Sequence, residues 1–118
     1  MAAKDELGRR GERLAEEHFV RRGAEVLDRN WRCASGEIDL VVRDEGCLVF
    51  VEVKTRSGRG WGGPLDAIGP VKLARLRRLA GEWCAAHPEA RGALRIDAVG
   101  IVAPRGGRPS LEHVEAVF

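Results

Sequence analysis

Two segments of the chain repeat their apolar residues at the spacing of a helix. The first, residues 4–22, carries on one face Leu7, Gly11, Leu14, Ala15 and Phe19. Gly23 follows, a residue type that ends helices in the left-handed conformation. The second segment begins at Pro70, which suits the first position of a helix, and Pro88 lies beyond its end. Its apolar face carries Leu73, Leu76, Ala80 and Trp83. The pattern predicts two amphipathic helices.

The hydrophobic pattern is strand-like between and after these helices. Residues 37–42 and 47–55 are rich in Val, Ile, Leu and Phe and flank a turn-forming segment at 43–46, which predicts an antiparallel hairpin. Residues 24–32 predict an edge strand before the hairpin, and residues 94–102 and 111–117 predict two strands after the second helix. The order α-β-β-β-α-β-β is typical of an α/β fold with a mixed sheet flanked by helices. A length of 118 residues corresponds to a single domain, 1–118.

The distribution of charge narrows the class of partner more than the net charge does. The chain carries a formal +2, too close to zero to indicate a polyanion-binding protein. Residues 53–78, however, contain seven basic residues and one acid, a net +6 that leaves −4 elsewhere. A basic face on a near-neutral protein is therefore expected. Within this window, residues 57–69 contain five glycines and are expected to form a flexible loop.

Cysteine usage and hydropathy indicate the compartment. The three cysteines are widely spaced and form no C-x-x-C pair, which favours a reducing cytosol over a disulfide framework. No apolar stretch is long enough for a membrane span, and charged residues begin at Lys4. We expect a cytoplasmic protein without membrane contact. His18, His87 and His113 lie on different predicted elements without ligand spacing, which disfavours a zinc site.

The predicted hairpin contains charged residues on an otherwise apolar strand. In a strand, positions i and i+2 share a face, so Glu52 and Lys54 point one way while Val51 and Val53 point the other. Burying an acid and a base in such a run has a desolvation cost that packing alone does not offset. These residues therefore predict either a functional site or a structural ion-pair network.

The register of the hairpin decides whether Asp39 joins Glu52. A two-residue loop at Glu45-Gly46 pairs Asp44 with Cys47 and places Asp39 opposite Glu52, with Cβ atoms roughly 5 Å apart. A three-residue loop places Asp39 opposite Val51 instead, on the other face unless a bulge restores the phase. Both registers are compatible with the sequence.

Two carboxylates at that spacing define a class of chemistry. Asp39 and Glu52, assisted by the backbone carbonyl of Val53, are hard oxygen ligands that suit Mg²⁺ or Mn²⁺ rather than Zn²⁺. Such a site suits phosphodiester hydrolysis, in which the metal activates water and stabilises the charge that grows on the phosphate. Lys54 is placed to orient the attacking water or to neutralise the phosphate.

The motif resembles that of a known nuclease superfamily. Asp39, followed after twelve residues by Glu52-Val53-Lys54, looks like the D…(D/E)-x-K signature of restriction-endonuclease-like nucleases, and the first helix with Glu12 is similar to that of archaeal Holliday junction resolvases. The wider chain resembles the YraN family of small bacterial proteins, assigned to that superfamily. The segments that carry this likeness are Gly8…Gly11-Glu12…Ala15, Arg29-Asn30, Gly36-Glu37-Ile38-Asp39-Leu40, residues 50–56, Lys72 and Arg95-Ile96-Asp97.

The resemblance implies roles for four side chains and a restriction-endonuclease-like fold. Asp39 and Glu52 would bind metal, Lys54 would be the catalytic lysine and Glu12 an auxiliary acid. The chain departs from the pattern at Ile38, where the superfamily has proline. Glu37 adds a third nearby acid on the same strand face as Asp39, which leaves open which of the two binds metal.

The basic window supplies candidate contacts to nucleic acid. These candidates are Arg56, Lys72, Arg75 and Arg78, together with Trp61 in the glycine-rich loop. The helix residues fall three apart and suit contact with a phosphate backbone, while a solvated helix face is the alternative. Trp61 either stacks on an unpaired base or anchors the loop on the core. Asp97, beside Arg95, is expected to pair with an arginine.

Three hypotheses of function follow. The first is an endonuclease that depends on a divalent metal and cleaves DNA, with branched DNA and a homodimer as expectations drawn from the resolvases. The second is a nucleic-acid-binding module without turnover, and the third a protein-interaction adaptor. Steep salt dependence of binding without an effect of Mg²⁺ would favour the second. The residues do not distinguish RNA from DNA.

Overall fold

The computed structural model describes residues 3–58 and 63–117. The helices are α1 (Ala3–Arg21) and α2 (Pro70–Ala86), with a short 3-10 helix at Pro64–Ala67. The strands are β1 (Glu25–Cys33), β2 (Gly36–Asp44), β3 (Cys47–Arg56), β4 (Ala93–Val102) and β5 (Ser110–Val114). Along the chain, α1 and the first three strands precede α2, and the last two strands follow it.

The five strands form one mixed sheet in the order β1-β2-β3-β4-β5. β3 and β4 are parallel, and the other neighbouring pairs are antiparallel. Since parallel neighbours need a crossover connection, α2 lies between β3 and β4 in the chain. The predicted α/β class, with a mixed sheet flanked by helices, is confirmed. None of the described helices is long and apolar enough to cross a membrane.

The sheet separates two apolar clusters, one against each helix. Phe19 of α1 packs with one set of strand residues that includes Val49, Val51 and Val99. Trp83 of α2 packs with a second set that includes Phe50. On β3 the odd-numbered residues thus face α1 and the even-numbered residues face α2. Glu52 and Lys54 follow Phe50 in this alternation and lie on the α2 side of the sheet.

Two predicted segments differ from the structure. The last strand was expected at 111–117 but ends at Val114, because the next backbone groups bond elsewhere: Ala116 N–H donates to Asp97 Oδ1 and Val117 N–H to the Ile96 carbonyl. Ala116 also has a φ of 51°, outside the strand region. Part of the predicted flexible loop forms the 3-10 helix at Pro64–Ala67, whose Leu65 lies against Gly100.

α1 approaches β3 closely at a glycine. A Cβ built on Gly11 would overlap Thr55 Oγ1 and lie 2.8 Å from Thr55 Cβ. The absence of a side chain at Gly11 therefore allows α1 to lie close to the end of β3. Glu12, the next residue of α1, lies near the same end of the sheet. Gly8, one turn earlier, has nothing within 4 Å of its built Cβ.

Matched glycine substitutions test this contact. We expect Gly11→Ala to lower the free energy of unfolding by about 1–3 kcal/mol, because an inserted methyl group forces the helix off the strand. Gly8→Ala is expected to raise it by up to about 1 kcal/mol, because alanine is the better helix former and no clash opposes it. Chemical denaturation of both variants measures the difference. Equal effects of the two substitutions would contradict the close approach.

Candidate metal centre

The turn of the β2–β3 hairpin sets the register of the site. Glu45 and Gly46 have φ values of 52° and 80°, as a two-residue turn of the primed type requires, and Asp44 pairs with Cys47. The ladder continues to Leu40 and Val51. The two-residue alternative is therefore the observed one, and it directs Asp39 toward Glu52, the next position along each strand.

The backbone pairing of β2 with β3 ends at Leu40 and Val51, and the next hydrogen bond between the two strands involves the side chain of Asp39. The Val53 N–H donates to Asp39 Oδ2 at 2.9 Å. Since the N–H and carbonyl of one strand residue point to the same side, the Val53 carbonyl faces the same edge of β3 as this N–H. Asp39, Glu52 and the backbone of Val53 thus converge where β2 and β3 separate.

The strand phase of β2 breaks at Asp39. Ile38 packs in the cluster on the α2 side and Leu40 in the cluster on the α1 side, although strict alternation would place both on one face. On the neighbouring strand, Asn30 lies between the paired residues Arg29 and Trp31 and has a φ of 49°. A left-handed residue inside a strand is strained, and such residues concentrate at functional sites.

Burial and like charge keep Asp39 from ionising freely. Desolvation, reinforced by the nearby Glu52 carboxylate, raises the pKa of Asp39 to about 8, and the Glu12 carboxylate adds to the rise. The Val53 N–H opposes it by stabilising the charged form. Near pH 7 Asp39 consequently keeps its proton unless a cation joins the two carboxyl groups.

Glu52 is buried and is ion-paired from outside the hairpin. Its side chain is 7% exposed, and Lys72 Nζ of α2 lies 2.6 Å from Glu52 Oε2. This contact is close, but no donor among the described residues meets hydrogen-bond geometry at that oxygen. Lys54, two residues along β3, is half-buried and forms no ion pair with any described residue. Glu52 therefore pairs with Lys72 and not with its strand neighbour.

Glu12 reaches the site from α1 and is held by Asn30. Asn30 Nδ2 donates to Glu12 Oε1 at 3.0 Å and to Glu37 Oε1 at 3.3 Å. Glu37 also lies 3.8 Å from Arg32 Nε. A cavity of about 160 Å³ separates α1 from β1 and β2, and Glu12, Asn30 and Asp39 are among its lining residues. Glu12, Asp39 and Glu52 are thereby brought into one site from three elements.

The donor set fits a hard divalent cation. Asp39 and Glu52 offer carboxylate oxygens, Glu52 Oε2 lacks a well-oriented hydrogen bond, and the Val53 carbonyl faces the same edge. Oxygen ligands of this kind suit Mg²⁺ or Mn²⁺. A cation would also neutralise the like charge that raises the pKa of Asp39.

The predicted nucleic-acid contacts divide into three groups. Arg56, Arg75 and Arg78 are exposed, and Arg75 runs along the start of β2 with its Cδ 3.9 Å from a Cβ built on Gly36. Lys72 is engaged with Glu52 instead of lying free on the helix face. Trp61 lies outside the described residues.

Sequence reasoning missed three residues of the site. Arg9 and Arg13 line the cavity beside Glu12, are exposed and form no ion pair with any described residue. Their spacing of four, with Glu12 between them, was a readable signal because it places both on one helix face. Asn30 stands in the Arg29-Asn30 segment of the family resemblance, which implies no role for it, and its contact with Glu12 depends on a left-handed conformation that asparagine tolerates without requiring.

Comparison with known proteins identifies relatives along the full chain. A relative from Clavibacter michiganensis is 54% identical over 116 residues, covering 98% of each chain. One from Kineococcus radiotolerans is 52% identical over 98% of this chain and 95% of its own, and one from Frankia casuarinae is 50% identical over the whole of both. All three are described as UPF0102 proteins.

The family match includes most of the site described above. A family model matches residues 11–101, a range that runs from the glycine of the α1–β3 contact through the hairpin and α2 to β4. Glu12, Asn30, Asp39, Glu52, Lys54 and Lys72 all fall inside it. With both the matched range and the relatives extending over the fold, the chain belongs to the uncharacterised protein family UPF0102.

Proposed function

We propose that this protein is a divalent-metal-dependent endonuclease that hydrolyses phosphodiester bonds of DNA. The observation that carries the proposal is the convergence of Asp39 and Glu52 in a buried position, where desolvation together with the Glu52 carboxylate raises the pKa of Asp39 to about 8. A buried acid pair of this kind is unfavourable by itself and becomes favourable with a cation. The likeness of the motif to restriction-endonuclease-like nucleases supports the same conclusion.

The residues present supply the parts that hydrolysis needs. Asp39, Glu52 and the Val53 carbonyl would hold the metal, which supplies an activated water and stabilises charge on the phosphate. Lys54, without an ion-pair partner among the described residues, is available to orient the water or to bind the phosphate. Asn30 fixes the Glu12 carboxylate at the cavity beside Asp39, where Glu12 serves as an auxiliary acid.

The surroundings of the site favour a polyanionic substrate. Arg9 and Arg13 on α1 line one side, and Arg75 on α2 lies against the start of β2 on the other. Exposed guanidinium groups bind phosphates without reading sequence. Branched DNA as the substrate, and a homodimer with two symmetric sites, extend the proposal by analogy with the archaeal resolvases.

Cleavage of labelled DNA tests the proposal. We expect the protein to cut at least one of a four-way junction, a flap, a single strand and a linear duplex in Mg²⁺ or Mn²⁺ but not in EDTA. Glu52→Ala is expected to lower the rate by at least about 100-fold, because it removes a metal ligand. Glu112→Ala, an exposed acid on β5, serves as the matched control and should retain the rate.

A second candidate function is a nucleic-acid-binding module without turnover. The ion pair between Lys72 and Glu52 favours it, because it neutralises the buried acid without a metal. Under this alternative, binding in the same samples would fall steeply with salt, would not respond to Mg²⁺, and no substrate would be cut. That outcome would overturn the endonuclease proposal.

A further inference from the structure

Lys72 lies in the first turn of α2 and directs its ammonium group at the buried carboxylate of Glu52. The two charged atoms are 2.6 Å apart, and the side chains of Lys72 and Glu52 are 28% and 7% exposed. An ionised carboxylate at this depth requires a cation, because desolvation without a partner is costly. In the metal-free protein, Lys72 supplies that cation.

The position of Lys72 is unfavourable for its own helix. The N-terminus of a helix carries partial positive charge and disfavours cations in the first turn. The first turn of α2 contains no acidic residue that would offset this effect. The interaction that accounts for Lys72 at this position is therefore the one with Glu52, on a different element.

Lys72 and a metal ion would compete for the same oxygen. Mg²⁺ binds carboxylate oxygens at about 2.1 Å, and an ammonium group at hydrogen-bond distance from that oxygen would lie against a divalent cation. We propose that Lys72 is the counter-ion of Glu52 in the metal-free protein, that a divalent cation displaces it, and that the released ammonium group then binds a phosphate of the substrate. This inference rests on the proposed function and assigns Lys72 as the positioning residue that couples metal binding to substrate binding.

The neighbours of Lys72 favour a phosphate as its second partner. Arg75, one turn further along α2, is exposed and lies against the start of β2. The helix N-terminus itself favours an anion, so a phosphate there would offset the unfavourable position of Lys72. Lys54 differs from Lys72 because it has no ion-pair partner among the described residues. Its ammonium group is therefore available to a phosphate whether or not a metal is bound.

Binding of Mn²⁺ in the absence of nucleic acid tests the first half of the proposal. We expect Lys72→Met to lower the Kd for Mn²⁺ by about tenfold in calorimetry, because the competing positive charge is gone. Lys72→Arg keeps the charge and should stay within about threefold of the wild type. Arg78→Met removes the same charge from an exposed position of α2 and should leave the Kd unchanged.

Binding of a four-way junction tests the second half, in a Lys54→Ala background that prevents cutting. Lys72→Met is expected to weaken DNA binding by about fivefold in Mn²⁺ and by less than twofold in EDTA, where Glu52 still holds the lysine. An equal loss of DNA affinity in Mn²⁺ and in EDTA would contradict the proposal that Lys72 exchanges Glu52 for a phosphate when metal binds.

The outcomes separate this inference from the proposed function. One outcome is that the wild type binds Mn²⁺, Glu52→Gln does not, and Lys72→Met binds it no more tightly than the wild type. That outcome would support the metal site and contradict the counter-ion role of Lys72. If neither the wild type nor any Lys72 variant binds Mn²⁺, the proposed function falls, and this inference falls with it.

Discussion

Replacing Asp97 by alanine is expected to lower the free energy of unfolding by about 3–5 kcal/mol, because it leaves buried partners without their shared anion. Asp97 is fully buried and accepts hydrogen bonds from Arg95 at 2.9 Å, from the Ala116 N–H at 3.1 Å and from His113 Nε2 at 2.7 Å. The Arg95 side chain is 13% exposed and would keep its charge in the variant. Arg95 keeps its contact with Asp44 at 2.7 Å, so the expected loss comes from a partly unpaired guanidinium group together with the His113 and Ala116 N–H donors, which lose their acceptor.

The network around Asp97 joins α1 to the sheet. Asp44 Oδ2 on β2 accepts a hydrogen bond from Arg95 Nη2 at 2.7 Å. It accepts a second one from Nη2 of Arg22, the residue after α1, at 2.9 Å. His113 of β5 contacts His18 of α1 with 2.9 Å between ring nitrogens. Asp44, Glu45 and Glu115 lie close enough together to hold a cation, but all three already form ion pairs with Arg22, and Asp44 and Glu115 also with Arg95. The arrangement explains stability and requires no ligand.

Chemical denaturation at pH 7 measures the effect of Asp97→Ala. The control is Glu112→Ala on the exposed side of β5, which should change the free energy of unfolding by no more than about 0.5 kcal/mol. Asp97→Asn keeps hydrogen-bond acceptance without the charge and should fall between the two. A loss below about 1 kcal/mol for Asp97→Ala would show that Arg95 finds water or another acid, and that the network is not cooperative.

The sequence predicted those parts of the site that depend on local geometry. The two-residue turn at Glu45-Gly46 is one of the two registers that the sequence allows, and it places Asp39 one position beyond the Leu40–Val51 pair, toward Glu52. The pairing of Asp97 with an arginine was likewise predicted, since Arg95 stands two residues away on the same face. Turn type and strand alternation suffice to predict these two pairs, but alternation does not predict the break in phase between Ile38 and Leu40.

The remaining contacts depend on how elements dock, which periodicity does not specify. The apolar face of α2 could be identified from its spacing, but not that Lys72 would reach Glu52, because the distance between helix and sheet is set by packing. His18 and His113 are 95 residues apart and lie on different elements, so the sequence did not predict their contact. Asn30 entered the site through a left-handed conformation that no local pattern demanded.

Asp39→Asn is expected to make the metal-free protein more stable than the wild type at alkaline pH. The folded state raises the pKa of Asp39 from 3.8 to about 8, so between these values it keeps a proton that the unfolded chain has lost. The stability of the wild type therefore falls as pH rises through this window, and the loss is complete above pH 8. Asparagine retains an acceptor for the Val53 N–H but carries no charge. We expect a difference near zero at pH 4 that grows to about 2–4 kcal/mol at pH 8.5.

Unfolding in EDTA, measured for the wild type and for Asp39→Asn across pH 4–9, gives this difference directly. Taking the difference cancels the contributions of the ionisable groups that the two proteins share, and Glu112→Gln controls for the loss of an exposed carboxylate. Parallel curves would mean that Asp39 ionises in the folded protein without penalty, and the argument for a cation between Asp39 and Glu52 would fail. A stability difference that grows with pH, and that Mn²⁺ removes by stabilising the wild type, would identify the cost of ionising Asp39 as the source of metal affinity. A ligand that binds the folded state stabilises it. On this account the acid pair destabilises the empty site for the same electrostatic reason that it binds a cation.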